Sequence, residues 1–175
     1  MADTASNEIT HAFETTFREH LRSYLNDPDT ARLKFFYEPE DIRGENCPAI
    51  GIFDDGGTEM ERTLRGRDAD GNAGDGWVFT QYKVDVQIYV KGKSGTGGGA
   101  FHRDDSLLVM NRWRDAVKAC LEDHWDLGGI AADVEIKADE PSMAFKEQSL
   151  TLRSGVVRCE VLAFRMQGAT RLAGE

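Results

Sequence analysis

Tyr82-Lys83-Val84-Asp85-Val86-Gln87-Ile88-Tyr89-Val90 is the stretch on which the reading of the fold turns. Tyr82, Val84, Val86, Ile88 and Val90 alternate with Lys83, Asp85, Gln87 and Tyr89. Successive side chains of a strand point to opposite faces, so this period of two predicts a strand from Trp77 to Val90 with one buried face and one wet or paired face. A strand of that kind needs an apolar layer on one side only.

The flanking sequence supplies that layer as helices. Before the strand, Ile9, Phe13, Phe17, Leu21, Tyr24 and Leu25 recur at steps of three and four, leaving Glu14, Arg18, Glu19 and Arg22 outside the stripe, and Asn26-Asp27-Pro28 closes the predicted helix. After it, Leu107, Met110, Trp113, Val117 and Cys120 or Leu121 mark a second helix over about 104–121, with Asp104 and Asp105 in its first turn. Leu33–Tyr37 and Ala49–Phe53 are short apolar runs bounded by prolines and by Asp54-Asp55-Gly56-Gly57, and they read as strands. A Gly128-Gly129 break leads to a strand over 132–136, and Asp139-Glu140-Pro141 opens another loop. In the last strand, 155–166, Val157, Cys159, Val161 and Ala163 oppose Arg158 and Glu160, and then Leu162, Phe164 and Met166 place apolar groups on the other face. A late change of face implies a bulge or an interface.

The element order predicts an α+β fold: a mostly antiparallel sheet, with the N-terminal helix and the second helix packed on one face and long polar loops. A length of 175 residues suits a single domain spanning 1–175. Segment 54–76 carries seven acids, three arginines and six glycines with little periodicity, so it is expected to be a long loop or an extended hairpin tip. Segment 91–100, rich in glycine, is expected to be a flexible connection.

Composition narrows the function classes. The formal charge is −10 and the pI near 4.9, which argues against a protein that holds nucleic acid by neutralising phosphates. Apolar runs fall far short of the ~20 residues of a membrane span, and Met1 to Ile9 show no basic, apolar leader, so a chain made in the cytoplasm with no membrane partner is expected. Cys47, Cys120 and Cys159 are odd in number and widely spaced, as free thiols would be.

Motifs for catalysis fail on spacing. Gly92-Lys93-Ser94 follows a strand as a phosphate-binding loop would, but a Walker A loop needs glycine at position 87, where Gln87 lies inside the strand. Gly95-Thr96-Gly97-Gly98-Gly99-Ala100 fits a dinucleotide fingerprint formally but lacks the parallel βαβ context. Asp68-Ala69-Asp70-Gly71-Asn72 begins like a calcium loop, yet positions six and twelve are Ala73 and Phe79. His11, His20, His102 and His124 are scattered, no serine sits in a nucleophile elbow, and the paired carboxylates lie in loops or at helix ends as solvated charge. Cys120, Cys159, Trp113 and Trp125 read as packing groups.

The N-terminal helix, the Cys47–Phe53 strand, the long Tyr82–Val90 strand, the Asp105–Leu121 helix, the Gly-Gly-Ile turn into Asp133–Ile136 and the final apolar strand together resemble the tail terminator family of long-tailed bacteriophages, over about residues 8–166. That resemblance implies a non-enzymatic virion protein of the phage neck with no cofactor, assembled in the host cytoplasm. It implies a homo-oligomeric ring, six subunits in the usual case, that caps the tail tube, touches the tail tube protein and a head–tail connector or stopper protein, and lets DNA pass without specific binding. The competing classes are another neck or tail-completion protein, a small nucleotide-binding enzyme using the 92–100 glycine loop, and an unrelated interaction module. The ring reading places Leu162, Phe164 and Met166 at a subunit interface and Asp54, Asp55, Glu59 and Glu61 at the lumen or the axial contact.

Overall fold

The computed structural model describes residues 4–26, 28–38, 42–62, 77–92, 105–147 and 150–166. Helix α1 spans Thr4–Tyr24 and α2 spans Ser106–Asp123, while β1 (Lys34–Phe36), β2 (Ala49–Arg62), β3 (Trp77–Lys91), β4 (Asp133–Asp139), β5 (Met143–Glu147) and β6 (Leu150–Met166) form one sheet. The strand order is β1-β2-β3-β6-β4, with β5 also paired to β6, and every pairing except β1 with β2 is antiparallel. The architecture is therefore α+β with a mostly antiparallel sheet, as the periodicities require.

Both helices lie on one face, α1 against β2 and α2 against β3 and β6. The apolar stripes meet there: Phe13, Phe17 and Leu21 from α1, Met110, Trp113, Val117 and Cys120 from α2, and Ile50, Ile52, Val84, Val86, Ile88, Val157, Cys159 and Val161 from the sheet are all buried in one cluster. Gly155 lets α2 come this close, because a Cβ there would stand 2.9 Å from Met110 Sδ. At the start of α2, Arg153 Nε donates to the buried Ser106 hydroxyl at 2.7 Å and Arg153 Nη1 to Ser142 at 3.3 Å, tying the helix to β6 and to the approach of β5.

Of the two forms expected for 54–76, residues 54–62 take the hairpin and not the loop: β2 continues to Arg62 against β3, with register shifts between Asp54 and Gly57, where the glycines lie, and between Glu59 and Glu61. The remaining residues 63–76 lie outside the described residues, as do 93–100 of the glycine-rich segment. The stretch beyond Pro141 holds β5, and β6 begins at Leu150, five residues earlier than its alternation indicates. β6 runs against β3 from Leu152 to Met166 without a register shift, so no bulge explains its late change of face.

Candidate functional site

The sheet face away from the helices carries no covering layer among the described residues, and its composition divides along its length. One part is charged. Arg158 bridges Glu140 at 2.6 Å and Asp85 at 3.6 Å, and Lys137 joins Glu135 to Glu160 across β4 and β6. Burial raises the Asp85 carboxyl above the usual carboxylate range although Arg158 pulls it back, and the two carboxylate hydrogen bonds hold the Lys137 ammonium above its ordinary value. The other part is apolar. Phe36, Phe53, Tyr89 and Val156 are half-buried, and Met143 and Phe145 are 63% and 47% exposed on β5, in register with Ser154 and Leu152. Phe53 folds its ring over Gly51, where a Cβ would lie 2.5 Å from Cζ.

The long strands overshoot the helices. The 17 residues of β6 span about 56 Å at a strand rise of about 3.3 Å, whereas the 18 residues of α2 span about 27 Å. Part of the excess is the start of β6, paired with β5; the rest is a three-stranded arm made of the ends of β2, β3 and β6, and there residues 55–58 are exposed and Phe79 and Leu162 only half-buried. Beyond Gly51 no described strand pairs with the outer edge of β2.

All seven residues singled out from the sequence belong to this arm or its base, on the two strands that flank β3. Asp54 pairs with Val84 at the base and is half-buried; its Oδ1 accepts from the Gly56 N–H at 2.7 Å, while Oδ2 is enclosed without a hydrogen-bond partner among the described residues. Asp55 is exposed. Glu59 and Glu61 take register positions opposite Thr80 and Phe79. Leu162 lies between Gln81 and Asp133, and Phe164 and Met166 stand opposite Phe79 and Trp77.

At the edge of the helical layer, an open groove of about 250 Å³ runs between α1, the turn Pro28–Arg32 and β1. Its floor is Phe17, Leu21, Leu33 and Phe35, and its rim carries Arg18, whose guanidinium stacks 4.6 Å above the Phe35 ring, and Arg22. Across α1 from the groove, His20 stacks on His124 with ring centroids 3.8 Å apart, and Tyr24 donates to Asp123 at 2.6 Å, which raises the phenol to about 12. The histidine contact is invisible in sequence because its members are far apart in the chain, one on α1 and one in the turn that ends α2. Trp125 departs from expectation: it is half-exposed, not a packing anchor like the fully buried Trp113.

These features suit binding. Cys47, Cys120 and Cys159 are buried free thiols, and burial pushes Cys120 and Cys159 up to about 12, far from nucleophilic use. Gln87 sits within β3 between Gly51 and Val156, so it cannot open a phosphate loop. Among the described residues no three His, Cys, Asp or Glu side chains are grouped to hold a metal ion, and no helix is long and apolar enough to cross a membrane. In comparisons with known proteins, no family model and no curated sequence matches the chain.

Proposed function

We propose that the chain is a virion structural protein whose copies form a ring that caps the phage tail tube, joins it to the head–tail connector and leaves an axial path for DNA. It acts by assembly and not by catalysis. The observation that carries the reading is the three-stranded arm, on which the acidic strand and the apolar end of β6 flank β3 on either side. A short sheet extension without a covering layer gains little stability by itself, whereas a ring closed by rotation can bury its strands between subunits. The sheet face that no described layer covers, with Met143 and Phe145 exposed among half-buried aromatics, supports the same reading, since monomers seldom expose contiguous apolar surface.

Light scattering coupled to size exclusion, on the chain alone and mixed with tail tube protein, tests it. The expected result is a closed oligomer, six copies in the favoured case, in at least the mixture. A chain that stays monomeric in both, or an assembled particle in which residues 162–166 face solvent, would overturn the proposal.

A further inference from the structure

We propose that neighbouring copies of this chain dock head to tail by inserting Trp125, on the turn after α2, into the arginine-rimmed groove beside α1; the choice of a second copy as occupant rests on the ring reading above. The groove is small. At about 250 Å³ it falls below the roughly 300–1,000 Å³ of sites for drug-sized ligands and cofactors, and it suits one large side chain with its flanking backbone. Its apolar floor calls for an aromatic or aliphatic group, and on its rim Arg18 is paired with Glu14 at 2.6 Å, whereas Arg22 makes no ion pair among the described residues and calls for an anionic neighbour.

The turn after α2 presents that combination. Trp125 is 50% exposed and Ile130 45% exposed, at the two ends of a turn closed by Leu127 N–H to His124 O, Gly129 N–H to Asp126 O and Ala131 N–H to Asp126 O. Asp123, Asp126 and Asp133 bracket the two apolar residues, so the knob is an indole in an acidic surround. Trp and Arg are also the residue types that dominate interface energetics when buried.

A copy cannot satisfy its own groove. At 100° per residue, Arg18 and Arg22 lie roughly 160° from His20 around α1, and His20 is the residue stacked on His124 beside the knob. Knob and groove are thus on opposite sides of one helix. Two different patches that complement each other form a heterologous contact, which continues from copy to copy until it closes as a ring. The contact uses the helical layer and leaves the arm free for the lumen or an axial neighbour.

The test uses the full chain. Trp125→Ala and, separately, Arg22→Glu should each weaken self-association by at least about thirtyfold in sedimentation equilibrium, the effect of truncating an interface hot spot. Both positions are exposed, and circular dichroism should show an unchanged fold. As an independent readout, a chain carrying Trp125→Cys mixed with one carrying Ala31→Cys should give an intersubunit disulfide under mild oxidation that neither gives alone. If the wild-type chain assembles but the two substitutions leave its mass unchanged and the mixed disulfide does not form, the docking is wrong and the ring reading stands. If the wild-type chain is monomeric alone and with tail tube protein, both fall.

Discussion

Gly155 sits where α2 crosses β6, and the space its missing side chain leaves is filled by Met110, itself fully buried, and by the stem of Arg114. Gly155→Ala would set a Cβ 2.9 Å from Met110 Sδ and 3.1 Å from Arg114 Cδ, and overpacking of a closed core costs about 1–3 kcal/mol, so the urea midpoint should fall with little change in slope. The thiols yield a second prediction. All three are buried, so a disulfide reagent at pH 8 should label none in the native chain and three in denaturant. Because Cys120 and Cys159 are raised to about 12 when folded, the stability they carry is present below the ordinary thiol value of about 8.5 and lost as pH rises towards 12. Thermal midpoints should therefore drop along that alkaline limb, and Cys120→Ala with Cys159→Ala should shallow the drop. That both cysteines are core residues was legible because each falls on an apolar stripe. Trp125 was not, since a tryptophan on a glycine-bounded turn belongs to no period that could reveal its exposure.

Asp139, the last residue of β4, binds α2 to the sheet. It accepts from Arg114 Nη2 at 2.9 Å and Lys118 Nζ at 3.1 Å, and Arg114 Nη1 also donates to the Glu140 carbonyl at 3.0 Å. The Lys118 hydrogen bond and the nearby positive charges hold the Asp139 carboxyl below the usual range. A depressed carboxylate contributes stability above its unfolded value of about 3.9 and loses it as pH falls through the lower, folded value. Asp139→Asn should thus cost about 0.5–1 kcal/mol at pH 7, as partly exposed ion pairs do, and the gap from wild type in urea titrations should close below pH 4. Long periodic elements such as α1, α2 and β3 are readable because one buried face imposes one period over many residues. β5 was missed because Met143 and Phe145 are exposed, so no burial pattern marks the strand, and its hydrogen bonds to β6 are backbone bonds blind to residue type. The outer half of β2 was obscured by Gly56 and Gly57, which write turn chemistry into a strand whose shifted register accommodates them.

Charge on the scale of the whole chain is concentrated. Segment 54–76 has a net charge of −4 and segment 122–147 of −6, which together make up the entire −10 and leave the rest balanced. The second segment contains the knob turn and β4, where Lys137, Lys118 and Arg114 offset part of the charge, whereas the first begins on the arm, where no ion pair to a described residue neutralises Asp54 or Asp55. An acidic arm is the right sign for a passage that DNA must traverse, because duplex DNA carries one charge per ~1.7 Å and basic walls would retain it by releasing counterions. Asp54 is a poor probe of this, since its carboxylate holds the Gly56 N–H at the bulge and charge reversal would disturb the strand. If the chain assembles into the proposed ring, Asp55→Lys, Glu59→Lys and Glu61→Lys together should leave the rings at normal mass. Those rings should now retain DNA, with affinity falling on added salt by a log–log slope of about −0.9 per phosphate neutralised, and infectivity of particles carrying them should drop. Infectivity unaffected by the triple substitution, with these residues mapped to the outer circumference of the assembled ring, would place the acidic arm away from the DNA path and leave its charge to colloidal repulsion between particles.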